Sequence, residues 1–259
     1  NQSITQMYPY IATYSTGEVG YLLNGERPMS VYAPGLVSPT LTWEKVSQYN
    51  VGIDFTLFAN RFTGSFDLYR RDTKDMLTKS KALPAVLATA EPQANAADMK
   101  TNGYEVTLGW KDMLSNGLSY GFGVIFADAQ SEITKYDNPN GIISDYYVGQ
   151  KLGEIWGFET AGLFQSDAEA AALNQSQIAG HQFLAGDIKF KDLNDDGKIT
   201  RGNQTLADHG DLKVIGNNTS RYSYGIRANV EWRGFDLNIF FQGVAKRKIN
   251  VTNRTYFLS

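Results

Sequence analysis

Residues 222–242 read YSYGIRANVEWRGFDLNIFFQ, and the order of side chains along this stretch decides the fold class. Tyr222, Tyr224, Ile226, Ala228, Val230 and Trp232 alternate with Ser223, Gly225, Arg227, Asn229 and Glu231. After Arg233-Gly234 the alternation resumes, with Phe235, Leu237, Ile239 and Phe241 set against Asp236, Asn238, Phe240 and Gln242. A period of two sends successive side chains to opposite faces of a strand, so each run has one oily and one wet face. Two such runs joined by a turn dipeptide predict an antiparallel hairpin.

The same pattern recurs upstream. Val51, Ile53, Phe55 and Leu57 alternate with Gly52, Asp54 and Thr56, and after a break at Ala59-Asn60 come Phe62, Gly64, Phe66 and Leu68 against Thr63, Ser65, Asp67 and Tyr69. Tyr104, Val106, Leu108 and Trp110 then alternate with Glu105, Thr107 and Gly109. Beyond Asn116-Gly117 follow Leu118, Tyr120, Phe122, Val124 and Phe126, opposed by Ser119, Gly121, Gly123, Ile125 and Ala127. Three hairpins give six strands.

A soluble sandwich also alternates, so the pattern by itself leaves open what covers the oily face. The connections discriminate. Within each hairpin the turn is short, whereas the links between hairpins run roughly from Asp72 to Thr101 and from Lys135 to Ser220. Short turns at one end and long loops at the other are the pattern of outer-membrane barrels, with turns in the periplasm and loops outside. Phe58, Phe62, Trp110, Trp232 and Phe235 all flank the short turns, where a girdle of amphipathic rings belongs. The fold class is therefore all-β, an antiparallel transmembrane β-barrel portion with long extracellular loops. The rival is a secreted, soluble, calcium-stabilised β-sandwich that binds carbohydrate.

Composition agrees and narrows the function classes. Twenty-five glycines, 13% aromatics and 15 tyrosines among 259 residues favour strands and turns. No apolar run approaches the ~20 residues of a spanning helix, and no signal-peptide pattern opens the chain. The 24 basic and 27 acidic residues give a net charge of -3 without a basic track, which argues against nucleic acid as a partner. Cysteine is absent, removing disulfides and thiolate chemistry. Residues 2–40 mix Tyr8, Tyr10, Tyr14, Tyr21 and Tyr32 with Gly and Pro and read as irregular loop. An alanine-rich stretch at 167–173 predicts a short helix inside the longest loop, 136–219.

Within that loop, residues 192–200 read DLNDDGKIT, the opening of a calcium loop of D-x-N-x-D-G type. Asp192, Asn194 and Asp196 place hard oxygens on alternate positions, Gly197 permits the sharp turn, and the Lys198 carbonyl adds a ligand. The twelfth position holds Asn203 in place of the usual Glu, so Asp208 or Asp211 is expected to complete the shell. The metal would be structural. A metal-free, hydrogen-bonded acidic turn is the competing reading. Tyr146, Tyr147, Trp156 and Phe158 are candidates for stacking on sugar or peptide, although loop packing is the commoner use of such rings. No catalytic residues are expected: His181 and His209 are the only histidines, neither falls in a metalloprotease spacing, and inward carboxylates are what any wet lumen requires.

Several segments, taken in order, resemble the SusC/RagA family of TonB-dependent outer-membrane receptors of Bacteroidetes-type bacteria. They are residues 41–44 (LTWE), 102–105 (NGYE), 149–153 (GQKLG), 156–158 (WGF), 162–165 (GLFQ), 186–190 (GDIKF), 192–200 and 211–217 (DLKVIGN). The resemblance implies a roughly 22-stranded barrel with a plugged lumen that imports glycans or peptides. It implies as partners TonB and a SusD-like surface lipoprotein that lids the barrel, with outer-membrane lipid around the wall. Neither a plug nor a TonB-engaging segment is visible, so residues 1–259 are expected to be a partial barrel, internal or C-terminal, whose outer strands pair with residues not shown.

Overall fold

The computed structural model describes residues 10–79, 86, 89 and 91–249. Its main body is one six-stranded antiparallel sheet made of β3 (Lys45–Leu57), β4 (Phe62–Lys79), β5 (Gln93–Met113), β6 (Ser119–Lys135), β11 (Arg221–Trp232) and β12 (Phe235–Lys246). Each strand pairs with its neighbour in the chain except at one place, where β6 pairs with β11 across the insertion between them.

Register turns the period-two pattern into a surface. Ile53, Phe66, Val106, Phe126 and Tyr224 stand in one cross-strand ladder, and Phe55, Gly64, Leu108, Val124, Ile226 and Phe241 in the next. Leu57, Phe62, Trp110, Phe122, Ala228 and Ile239 form a third. A slip of one residue in any pair would put an oily row among polar ones, so the patterning itself enforces this register. The reverse face alternates with it: Asp54, Ser65, Thr107, Ile125, Gly225 and Gln242 share one ladder, and Thr56, Thr63, Gly109, Gly123, Arg227 and Phe240 another.

The oily face is bare. Phe122 is 50% exposed, Ile239 54% and Phe241 59%, and the other sheets, each two-stranded, pair within themselves. A sandwich requires a second sheet over this face at about 10 Å, and none of the described elements supplies it.

At the turn end the rings gather as expected. Phe62 lies 5.7 Å from Phe55 and 6.3 Å from Trp110, Phe58 packs 6.2 Å from the same indole, and Arg233 sits 4.8 Å over the Trp232 ring. The β11–β12 turn has φ of 50° at Arg233 and 85° at Gly234, the doubly left-handed pair that matches the twist of a two-residue hairpin.

Three expectations need correction. The link expected from Asp72 to Thr101 is largely strand, because β4 runs on to Lys79 and β5 begins at Gln93. These extensions mix polar residues with Met76, Leu77, Ala94, Ala96, Ala97 and Met99 in no strict period of two, so they carry no alternation to read. Within residues 10–40, expected to be irregular, β1 (Ser15–Glu18) and β2 (Met29–Tyr32) form an antiparallel pair; Tyr8 lies outside the described residues. The 136–219 loop, finally, is a folded insertion. It holds β7 (Glu154–Phe158), β8 (Thr160–Leu163), β9 (Ile188–Phe190) and β10 (Leu212–Asn217), with β7 paired to β10 and β8 to β9. The expected helix is α1 (Asp167–Ala172), capped by the Ser166 side chain, and a second, α2 (Ser176–Ala179), follows it. Phe164, Ile199, Gln175 and Asp211 are the most deeply buried side chains and all lie in this insertion.

Candidate functional site

The polar face of the sheet offers the first candidate surface. Asp67 and Glu105 stand directly opposite each other on β4 and β5, a like-charge pairing that disfavours the bare sheet. Two ladders nearer the turns, Gly109 and Gly123 remove side chains from the wall beside Arg227 and Phe240. The result is a shallow depression of about 190 Å³. A Cβ at Gly123 would meet only the Leu108 carbonyl, at 3.7 Å, so the glycine leaves open space and not a tight contact. Such a face can bind polar cargo in passing, and it assembles no nucleophile with a base.

The insertion is fastened to the sheet at both ends. At its start the Gly149 and Leu152 N–H groups donate to the Ile133 and Ser131 carbonyls, and the Ile133 N–H donates to the Gln150 carbonyl, each at 2.9 Å. Residues 149–152 thus extend the ladder of β6 beyond the point where β11 leaves it. Glu132 links the same segment to the wall by pairing with Lys151 and with Lys100. At the exit, Arg221 grips Asp128 through Nε and Nη2, both at 2.5 Å, and Tyr222 takes a left-handed φ of 57°. Start and exit are joined to each other as well: the Asn218 N–H donates to the Gly153 carbonyl at 2.8 Å, and Asn217 Nδ2 to the Leu152 carbonyl at 2.9 Å.

The six expected metal ligands separate into two groups. In the turn itself Asp192 Oδ2 accepts from the Gly197 N–H at 2.7 Å, Asp196 Oδ1 accepts from the Lys198 N–H at 2.8 Å, and Asn194 Nδ2 donates to Asp196 Oδ2 at 3.2 Å. Asp195 and Gly197 adopt φ of 58° and 76°, which folds Asp192, Asn194 and Asp196 onto one another. Asp211, fully buried, does not complete a shell: its two oxygens take the Leu193 and Thr200 N–H groups at 2.8 and 2.7 Å and staple the two ends of the turn together. Asp208 is likewise turned away, accepting from the Asn203 N–H and side-chain amide. Among the described residues no group of three His, Cys, Asp or Glu side chains is placed to hold a metal ion.

Of the four candidate stacking residues, three are packing groups. Tyr147 is buried, donates its hydroxyl hydrogen to Glu154 Oε2 at 2.6 Å and accepts from Trp156 Nε1 at 3.2 Å. Burial, with the Glu154 carboxylate behind it, pushes the Tyr147 phenol up to about 12. Trp156 packs on His209 and Phe158 on Phe190, with ring centres 5.6 and 5.3 Å apart. Tyr146 alone is well exposed, with its edge against Tyr136.

Sequence reasoning missed the groups that hold the insertion together. Gln175 is buried and inserts its amide as a surrogate strand, donating to the Ile188 carbonyl at 2.7 Å and accepting from the Phe190 N–H at 3.2 Å. Glu159 bridges Lys191 and Lys213, at 2.6 and 2.5 Å, and these two ammonium groups hold its carboxyl down to about 2 from the usual 4.5. A depressed carboxylate stabilises the fold above its unfolded pKa, and that contribution is lost as pH falls through the folded value. The β8–β9 end of the insertion should therefore loosen between pH 4.5 and about 2. Hydrogen exchange of the Lys191 amide, which donates to the Glu159 carbonyl at 2.8 Å, reports it. Glu159→Gln should remove that acid step, and an unchanged profile would show that Glu159 does not govern it.

Comparison with known proteins gives a consistent answer. The family described as TonB dependent receptor-like, beta-barrel, matches residues 2–257. The chain is 23% identical to TonB-dependent receptor P3 of Formosa agariphila, over 90% of this chain and 24% of that protein. It is 25% identical to the TonB-dependent receptor SusC of Bacteroides thetaiotaomicron, over 92% of this chain and 23% of that one. Among solved structures, the RagAB peptide importer in the open-open state aligns with a TM-score of 0.67 at 21% identity, covering 93% of this chain and 24% of the other. The sequence thus spans about a quarter of the length of these relatives.

Proposed function

Because the chain belongs to the TonB-dependent receptor β-barrel family, we propose that it forms part of the wall of an outer-membrane receptor that imports a bulky nutrient, a glycan or a peptide, without altering it chemically. The observation that carries this reading is the sheet with one bare oily face and one polar face, continuous across six strands. The oily face meets lipid, and the polar face, with Asp67, Glu105 and Arg227, lines the lumen. The insertion stands outside as a fixed part of the cargo chamber. TonB would supply the energy and a SusD-like surface lipoprotein would cover the chamber. Loss of the full receptor should abolish uptake of a labelled oligosaccharide or oligopeptide, and loss of TonB should do the same. A full-length protein that stays in water without detergent would overturn the assignment.

The same reading includes a structural calcium site on the 192–200 turn. Its donor set is Asp192, Asn194 and Asp196 with the Lys198 carbonyl, and Asp208 and Asp211 contribute no ligand. Oxygens on alternate positions, with Gly197 at the sharp bend, suit a hard cation; so few carboxylates predict weak binding, about 10⁻⁴–10⁻³ M as in extracellular modules. Calcium should slow proteolysis of the insertion in that range. A calorimetric titration without heat, joined to unchanged proteolysis on chelation, would remove the site.

A further inference from the structure

A depression of about 530 Å³ lies on the oily face, at its edge away from the turns, and not on the polar face where cargo would pass. Two adjacent ladders make it. The outer one sets Tyr49, Arg70, Asn102 and Gln130 side by side, and the inner one sets Val51, Leu68, Tyr104 and Asp128. Strand alternation places both on the face that carries Phe66, Val106 and Phe126. The inner ladder is oily and open, with Val51 73% and Leu68 48% exposed.

The outer ladder is rich in hydrogen-bond donors. Asn102 and Gln130 make no side-chain hydrogen bond among the described residues. Arg70 engages Asp72 through Nε and Nη2 at 3.0–3.1 Å, and Arg221 engages Asp128 through the same pair of nitrogens. Both carboxylates are thereby neutralised, while each guanidinium keeps unused N–H groups. Unused N–H groups on the two guanidiniums and two unbonded side-chain amides, set close together, suit a ligand rich in phosphate and hydroxyl oxygens. Four strands about 4.8 Å apart span about 14 Å, wide enough to seat a headgroup of more than one ring.

We infer that this step on the wall, resting on the reading that the oily face contacts lipid, binds an outer-leaflet glycolipid: its phosphorylated sugar headgroup on Arg70, Asn102, Gln130 and Arg221, its acyl chains on Val51 and Leu68. A peptide or glycan cargo would occupy the opposite face. The position also matches the chemistry of the interface, because Tyr49 and Tyr104 stand where the oily ladders give way to polar ones.

The test uses the full-length receptor in nanodiscs of phosphatidylethanolamine and phosphatidylglycerol, with acylated diphosphoryl diglucosamine added, and native mass spectrometry counts the lipids retained. The glycolipid should be retained over phosphatidylglycerol by at least about tenfold. Arg70→Ala with Gln130→Ala should abolish that preference, and so should the near-isosteric Asn102→Asp with Gln130→Glu, which replaces donors by repelling charges without removing volume. Asn238→Ala on the polar face should leave it unchanged. Equal retention of both lipids by the parent protein, or a preference that survives both double variants, overturns the inference while leaving the barrel reading intact. So does a Gln130→Cys receptor that crosslinks to a second copy through this face. A receptor that takes up no lipid and needs no detergent overturns the barrel reading, and this inference with it.

Discussion

Replacing Arg221 by alanine should destabilise the attachment of the insertion by about 3 kcal/mol, the lower part of the range for breaking one side of a buried ion pair. Asp128 is the more deeply placed partner, its side chain 5% exposed against 18% for Arg221. Removing the guanidinium leaves that carboxylate with backbone partners alone, the Tyr222 N–H at 3.3 Å and the Ala129 N–H. Arg221 also lies 5.1 Å over the Tyr222 ring, which itself stacks on Phe126, so the substitution loosens the point where the chain leaves the insertion and rejoins the sheet. The reverse substitution, Asp128→Ala, should cost less, because the longer arginine can turn its charge toward water. Replacing both by leucine should recover most of the loss, since the pair's net worth is small beside the penalty of an orphaned charge. Limited proteolysis within residues 136–220 and the thermal midpoint of the full receptor both report the effect. Single variants that match the parent in both would show that the pair does not anchor the insertion.

That pair marks the boundary of what the sequence discloses. The six strands were legible where one face meets lipid and the other does not, because oily side chains at every second position leave a periodic trace from Val51 to Leu57 and from Tyr224 to Trp232. Beyond Thr73 on β4 and before Tyr104 on β5 the apolar residues fall out of the period of two, and the trace vanishes although the strands continue. Arg221 and Asp128 are 93 positions apart, and nothing local to either announces the other. The aromatic candidates stayed open for a related reason. A tyrosine that packs and a tyrosine that stacks on sugar look alike in sequence, and only the Tyr147 bond to Glu154 shows which this one is. In the 192–200 turn the alternating oxygens were readable, but the use of Asp211 was not. Its carboxylate serves two backbone N–H groups, a role fixed by the fold around Ile199.

The largest effect expected on the sheet itself separates its two faces at one depth. Val124 stands in the ladder with Phe55, Leu108, Ile226 and Phe241, between an oily row on either side. Thr107 lies one ladder away on β5, points to the other face and shares its row with Asp54 and Gln242. Val124→Arg should destabilise the membrane-inserted receptor by about 2–4 kcal/mol, the penalty for a lipid-facing cation near the bilayer midplane. Thr107→Arg should stay within roughly 0.5 kcal/mol, because its guanidinium reaches lumen water and the Asp54 row. At 1.4 kcal/mol per tenfold, the first change shifts the folding equilibrium roughly 30- to 700-fold. Reversible urea unfolding in lipid vesicles measures both. Equal losses would mean that the two faces see the same surroundings, as in a water-soluble sheet, and a larger loss at Thr107 would reverse the assignment of lumen and lipid. The contrast depends on position alone: two residues at matched depth receive the same new side chain, and the faces differ only in what covers them.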